Sequence, residues 1–197
     1  MREVELKSVA PDPEAVVAAL LKAGAEPAFA GRLSDRRYDT RAQSLTGRDL
    51  VLRLRTYGNE GGSHSTLEFK GRTRIDDGYK VREELGTEVR DPRVMARMLE
   101  QLGYVVVHEI DRDISQFVCR GATVRVERYP RMDALVEVEG VTDTIEAAIT
   151  ATGLPRGGFT SARLADFVRL FETRTGQRAA ISDRELAGDY QYGSPNG

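Results

Sequence analysis

The sequence predicts a mostly β (α+β) fold: an eight-stranded antiparallel closed β-barrel with its helices packed outside. Three observations carry this reading. Eight strand-like segments are separated by glycine-bearing or polar turns, six of those segments place a charge at every second residue, and the helices between them are few and short.

Taken in order, residues 2–8 form the first strand. Asp12-Pro13 then supplies an N-cap and a proline at the first helical position, Val16, Val17, Leu20 and Leu21 recur at helical spacing, and Gly24 stops the helix. Strands follow over 33–40, 50–57, 64–72 and 79–88, with turns at Asn59-Glu60-Gly61-Gly62 and Asp76-Asp77-Gly78. Asp91-Pro92 opens a second helix through Val94, Met95, Met98, Leu99 and Leu102 to Gly103, and its likeness to the first points to two related halves. Strands over 104–118, 123–129 and 134–140 complete the set. A third helix runs from Thr142 or Asp143 to Gly153, and a fourth covers about Ser161 to Thr175. Residues 1–180 are expected to form one domain and 181–197 a polar, flexible tail.

A chain of 197 residues with 40% hydrophobic content fits one domain, large enough to bury roughly 70% of its unfolded surface. Charged residues make up 30% of the chain, yet the formal net charge is only −2, which argues against a general nucleic-acid-binding surface. Cys119 is the single cysteine and cannot form an internal disulfide; a small buried or edge position is expected for it. The N-terminus lacks the apolar run of a signal peptide, and no stretch approaches the roughly 20 apolar residues of a membrane span, so a cytoplasmic setting without membrane contact is expected. Only four lysines (Lys7, Lys22, Lys70, Lys80) stand against 25 arginines, which hints that a retained lysine serves where a compact ammonium is wanted.

The alternation is regular. Glu3, Glu5 and Lys7 interleave with Val4 and Leu6, Arg53 and Arg55 with Leu52 and Leu54, and Glu68 and Lys70 with Leu67 and Phe69. Arg82 and Glu84 flank Glu83, Arg125 and Glu127 interleave with Val124 and Val126, and Glu137 and Glu139 with Val136 and Val138. Each strand therefore has an apolar face and an ionised one. Two readings are open: the charged face meets water, as in many antiparallel sheets, or a closed barrel turns it inward. An interior of that kind requires ions that are paired, hydrated or neutralised by a ligand. Lys7, Arg53, Arg55, Lys70, Arg82, Arg112 and Arg125 give seven positive charges against the five of Glu3, Glu5, Glu127, Glu137 and Glu139. One divalent cation then leaves a surplus close to the charge of about −4 on a triphosphate chain.

Glu3-Val4-Glu5-Leu6-Lys7 resembles the ExExK motif of the CYTH superfamily, the triphosphate tunnel metalloenzymes that include class IV adenylyl cyclases and thiamine triphosphatases. Tyr38-Asp39-Thr40, Leu52-Arg53-Leu54-Arg55, Phe69-Lys70-Gly71, Arg82-Glu83-Glu84, Arg112 and Glu137-Val138-Glu139 follow at family-like positions, so the resemblance runs from residue 1 to about 171. It implies an eight-stranded tunnel that grips a small-molecule triphosphate. Lys7, Arg53, Arg55, Lys70, Arg82 and Arg112, with Arg125, would bind phosphate. Glu3, Glu5, Glu127, Glu137 and Glu139 would face Mg²⁺ or Mn²⁺. Arginine forks and hard carboxylate oxygens suit those partners.

Several positions depart from the family pattern. Glu127 stands where Asp is usual and Arg131-Met132 where a Leu-Gly pair is usual. Ile110 replaces a frequent lysine, Arg37 replaces a frequent aromatic before Tyr38, and Ala162 replaces a common tyrosine. These changes bear on substrate choice more than on fold. His64 and His108 show no ligand spacing and read as surface or packing residues, while Gly61-Gly62 and Gly157-Gly158 lack a following P-loop lysine and read as turns.

The expected activity is metal-dependent hydrolysis of a triphosphate such as tripolyphosphate, thiamine triphosphate or a nucleoside triphosphate, with Glu5, Lys7, Lys70 or Tyr38 orienting or deprotonating the attacking water. The alternatives are a class IV adenylyl cyclase converting ATP to cyclic AMP and pyrophosphate, and a non-catalytic polyphosphate binder. No nucleic-acid partner is expected, and a monomer or small homo-oligomer is.

Overall fold

The computed structural model describes residues 3–76 and 79–192. The architecture is mostly antiparallel β with a few helices. The elements are β1 (Glu3–Val9), α1 (Pro13–Lys22), β2 (Glu26–Thr40), β3 (Val51–Asn59), β4 (Gly62–Lys70), β5 (Arg74–Asp76), β6 (Tyr79–Arg82), β7 (Glu84–Val89), α2 (Pro92–Gln101), β8 (Tyr104–Cys119), β9 (Ala122–Arg128), β10 (Leu135–Gly140), α3 (Thr142–Thr152), α4 (Leu164–Thr175) and α5 (Asp183–Leu186).

One antiparallel sheet holds all the described strands in the order β5-β6-β1-β10-β9-β8-β2-β3-β4-β7. The expected eight-stranded closed barrel is thereby corrected: ten strands form among the described residues, and their hydrogen-bonded order has two ends instead of closing on itself. The cause lies at Glu83. The single strand expected over 79–88 is interrupted there, so β6 pairs with β1 and β7 pairs with β4. The Glu83 carbonyl leaves the ladders and accepts the Gly71 N–H at 2.8 Å. The chain thus bridges the two end regions of a strongly curled sheet where a ladder would have closed it.

β2 begins seven residues before the expected start at 33 and takes in Pro27 and Gly31, residue types that strands usually avoid. Both lie in a ladder with β8 that absorbs a register shift between Pro27 and Phe29. Gly31 is required by close approach: at φ +153°, a Cβ there would sit 2.3 Å from the Gly58 carbonyl oxygen.

The apolar faces point away from the concave side and are covered by helices. Val124, Val126, Val136 and Val138 pack with Val16 and Leu20 of α1 and Ile145, Ala148 and Ile149 of α3. Full burial of one such aliphatic side chain stabilises by about 1.5–3 kcal/mol, which makes this layer the main anchor of the sheet. α2 contributes Leu99 to a separate cluster with Tyr38, Leu54 and Val89. Both helices start as the sequence indicates: the Asp12 carboxylate accepts from Ala15 N, and that of Asp91 from Arg93 N and Val94 N.

Residues 181–192 are not the flexible tail expected from composition. Ala180 and Arg131 exchange backbone hydrogen bonds of 2.8 and 2.9 Å, and Asp111 N–H donates to Ile181 O at 2.8 Å. Ile181, Ser182 and Glu185 are buried. Ile181 joins Ile110, Tyr129, Leu135 and Phe167 in a cluster that forms an apolar floor inside the curl. Among the described residues, no helix is long and apolar enough to cross a membrane.

Candidate functional site

The concave face of the sheet encloses a cavity of about 930 Å³. The second residue of each alternating pair lines it: Glu5 and Lys7 from β1, Arg53 and Arg55 from β3, Glu68 and Lys70 from β4, and Arg82 and Glu84 from β6 and β7. Arg112, Arg125, Glu127, Glu137 and Glu139 complete the wall from β8, β9 and β10. Of the two readings open at the level of sequence, the structure selects the inward one: the ionised faces meet in one shared space. Parity survives the break at Glu83, since Arg82 and Glu84 both face the cavity.

At the centre lies Asp35, fully buried on β2. Arg55 grips it with both sides of its fork, Nε to Oδ1 at 2.7 Å and Nη2 to Oδ2 at 2.9 Å. Arg112 Nη1 and Arg53 Nη1 reach Oδ2 at 3.1 and 3.3 Å. Burial works against a charged carboxylate, but the three guanidiniums outweigh it and hold the Asp35 carboxyl well below the usual range. This carboxylate fixes three phosphate-binding candidates on neighbouring strands in one fan. The sequence reading missed Asp35; the signal available was its place three residues before the Tyr38-Asp39-Thr40 motif, on the same strand face as Arg37.

A second network runs across β1, β10 and β9. Lys7 pairs with Glu5 at 2.8 Å and with Glu137. Arg125 bonds Glu137, reaches Glu139 at 3.3 Å and donates to Gln116 at 2.9 Å. Burial alone would lower the Lys7 pKa, yet Glu137, Glu5 and Glu127 reverse the effect and raise it above the ordinary lysine value. Glu127 accepts from Arg112 Nε at 2.8 Å and from the Tyr129 hydroxyl at 2.7 Å. Lys70 bonds Glu84, but burial and the nearby Arg53 lower its pKa to about 8. Arg82 donates to the Gly71 carbonyl at 2.7 Å and the Asp49 carbonyl at 2.9 Å.

Tyr38, a candidate for activating water, borders the cavity but packs its ring among Leu54, Val89 and Leu99, and burial raises its phenol pKa, which disfavours a phenolate base. The charge count drawn from sequence omitted three arginines of the wall (Arg37, Arg163, Arg178) and six carboxylates (Asp35, Asp49, Glu68, Glu84, Glu172, Glu185); the wall holds ten basic and ten acidic side chains among the described residues. The site is therefore close to balanced before any ligand enters, and an incoming anion must exchange with resident carboxylates. His64 stacks on Tyr57 with ring centroids 4.7 Å apart, whereas His108 lines the cavity, where burial and Arg37 lower its pKa to about 4. Cys119 is buried, as expected.

The family model described as the CYTH domain matches residues 1–146. The chain belongs to the CYTH family. Solved structures repeat its fold: a candidate adenylate cyclase from Vibrio parahaemolyticus (TM-score 0.73, 19% identity, 86% of this chain and 98% of that chain) and a protein of Pyrococcus horikoshii (TM-score 0.67, 22% identity, 89% and 99%). A candidate adenylyl cyclase of Hippeastrum, described as having a dominant triphosphatase activity, aligns with TM-score 0.63 and 17% identity over 90% and 97% of the two chains. No curated protein matches this chain by sequence.

CYTH proteins are generally metal-dependent, and the donor set of this CYTH cavity can be tested for fit. Glu5 and Glu139 stand directly opposite each other in the β1–β10 ladder. Like charges so placed repel, and burial pushes the Glu139 carboxyl up to about 7. A divalent cation relieves both effects. Glu127 and Glu137, expected from sequence to face metal, are bonded by Arg112 with Tyr129 and by Lys7 with Arg125. The Glu3 side chain lies outside the described residues. Among those described, no three carboxylate, histidine or cysteine side chains converge as a metal cage. Two carboxylates suffice for Mg²⁺, which keeps several waters and completes its shell with substrate phosphate oxygens.

Proposed function

We propose that this protein is a metal-dependent triphosphatase that hydrolyses a triphosphate within the charged cavity. The observation that carries the reading is the fan of Arg53, Arg55 and Arg112 anchored on the buried Asp35 and facing a common space with Lys7, Lys70 and Arg125. Arginine forks bind phosphate oxygens in pairs, and a fan already oriented before the ligand arrives is placed to stabilise charge developing on the phosphoryl group.

Division of labour among the basic residues follows from their surroundings. Lys7 is held protonated by its carboxylate neighbours and offers charge. Lys70, with its pKa near 8, is the residue able to lose a proton at physiological pH. In the proposed step a water oxygen attacks the terminal phosphorus, the bridging P–O bond breaks, and neutral Lys70 takes the water's proton, with Glu84 holding the resulting ammonium. The arginine fan holds the remaining chain, and the apolar side chains of Ile110 and Ile181 on the cavity wall limit access of bulk water from one side. A divalent cation bound by Glu5 and Glu139 would act there as a Lewis acid on the phosphate oxygens.

The same clamp would also serve attack by the ribose 3′-hydroxyl of ATP. Incubating the purified protein with tripolyphosphate, ATP and thiamine triphosphate, with and without Mg²⁺ or Mn²⁺, separates the readings. Metal-dependent release of phosphate is expected. Cyclic AMP with pyrophosphate would make it a cyclase, and tight binding without turnover would make it a binder.

A further inference from the structure

The cavity arginines are held in one common way. Arg55 donates its Nε to Asp35 at 2.7 Å, Arg53 to Glu68 at 3.1 Å, Arg82 to the Gly71 carbonyl at 2.7 Å, Arg112 to Glu127 at 2.8 Å and Arg125 to Gln116 at 2.9 Å. Nε sits at the base of a rigid planar fork, so fixing it restricts the direction of the whole guanidinium. Behind two of these acceptors stands a hydroxyl. Tyr129 Oη donates to the other oxygen of Glu127 at 2.7 Å, and Thr66 Oγ1 to the other oxygen of Glu68 at 2.8 Å. The two arginines so tethered meet at Asp35 Oδ2, Arg112 through Nη1 at 3.1 Å and Arg53 through Nη1 at 3.3 Å.

The arms differ in what they leave free. Arg53 gives both Nε and Nη2 to Glu68, so the Thr66 hydroxyl guards no spare donor. Arg112 gives Nε to Glu127 and Nη1 to Asp35, and its Nη2 has no partner among the described residues. Glu127 is only 1% exposed, so bulk water does not make good a hydrogen bond lost there. The Tyr129 ring packs with Ile110, Leu135, Phe167 and Ile181. Burial, with Glu127 alongside, raises its phenol pKa well above the ordinary tyrosine value and keeps the hydroxyl a donor.

We propose that Tyr129 is a positioning residue for phosphate binding: by holding one oxygen of Glu127 it keeps that carboxylate on Arg112 Nε alone and reserves Arg112 Nη2 for the ligand. The inference rests on the triphosphatase reading and adds a residue that acts through Glu127 and Arg112. Without the hydroxyl, Glu127 Oε2 becomes a buried acceptor lacking a donor, which is costly. The arginine already bonded to Glu127 can supply one, because a carboxylate grips two N–H groups of one guanidinium side by side. That grip takes the N–H group otherwise left for phosphate.

The test uses the full chain as wild type, Tyr129→Phe, Arg112→Lys and the double variant. Phenylalanine keeps the ring in its apolar cluster, and lysine keeps the charge of Arg112 without its fork. Arginine Nε–H groups are followed by ¹⁵N–¹H correlation NMR without ligand, the Arg112 resonance being the one absent from Arg112→Lys. Affinity is measured by calorimetric titration with sodium tripolyphosphate in metal-free buffer. Tyr129→Phe is expected to displace the Arg112 resonance and to weaken tripolyphosphate binding at least about fivefold; in the Arg112→Lys background the same substitution should change affinity less than about twofold, as coupled residues are not additive. An unchanged resonance or an unchanged affinity in Tyr129→Phe would overturn the proposal. Equal losses in both backgrounds would overturn it too, since Tyr129 would then act on the fold or on the ligand without passing through Arg112. Wild type that binds no tripolyphosphate would remove the triphosphatase reading, and the Arg112 resonance, recorded without ligand, would still decide the tether.

Discussion

Replacing Asp35 with asparagine removes the charge to which Arg53, Arg55 and Arg112 are all bonded, while preserving side-chain volume. Three buried guanidiniums lose their common counter-ion, and the new amide turns a donor toward the Arg55 fork, which offers only donors. Breaking a buried ion pair by removing one partner costs about 3–5 kcal/mol. For a chain of this size each kcal/mol lowers the melting temperature by roughly 2–4 °C, so a drop of about 10 °C is expected. Scanning calorimetry of the two proteins measures it. Asparagine should also change the response to ligand: tripolyphosphate supplies the missing negative charge, so the ligand-induced rise in melting temperature should be larger in Asp35→Asn than in wild type. The pH dependence has a definite sign. The folded Asp35 carboxyl lies below its unfolded value, so its stabilisation is present above about pH 4 and is lost as pH falls through the folded value. Asp35→Asn should therefore flatten the acid limb of the stability profile. A variant melting within 2 °C of wild type, with an unchanged ligand response, would refute the idea that this carboxylate organises the fan.

Other perturbations probe the remaining assignments. If neutral Lys70 is the base, kcat should rise with pH through about 8, and Lys70→Arg should abolish that limb and cut kcat by roughly 10²–10⁴-fold; a parallel pH profile in the variant would remove Lys70 from the role. Glu139→Gln should raise the Mg²⁺ concentration needed for half-maximal activity at least tenfold with little change in melting temperature, and an unchanged Mg²⁺ requirement would contradict the facing-carboxylate site. Tyr38→Phe should keep activity within about threefold, since the ring packs with Leu54, Val89 and Leu99; a hundredfold loss in kcat would restore the hydroxyl as a participant.

What could be read without coordinates was local and periodic. The two-residue alternation in Glu5-Leu6-Lys7, Arg53-Leu54-Arg55 and Glu137-Val138-Glu139 fixes which side chains share a face, and the Asp-Pro starts at Asp12 and Asp91 fix where helices open. Periodicity does not give the direction of curl, which decides whether that face meets water; the choice depended on the family resemblance and on long-range pairing. Asp35 was hidden because it lies in Ser34-Asp35-Arg36-Arg37, where charges on both faces erase the alternation, and because its partners are 18, 20 and 77 residues away. The break at Glu83 leaves no mark in composition, since Arg82 and Glu84 keep their parity across it. Residues 181–192 read as a tail because they are polar and turn-rich, yet a few contacts through Ala180, Ile181 and Ser182 suffice to dock them.

The central claim is that inward-facing ions from many strands grip one triphosphate. A crystal structure of the protein with Mg²⁺ and a non-hydrolysable triphosphate analogue tests it most directly. The account predicts analogue density within hydrogen-bonding distance of Arg53, Arg55 and Arg112, with a metal peak between Glu5 and Glu139. Density on the convex, helix-covered side, or a cavity in which Asp35 and the arginines keep all their present bonds while the analogue sits elsewhere, would contradict it.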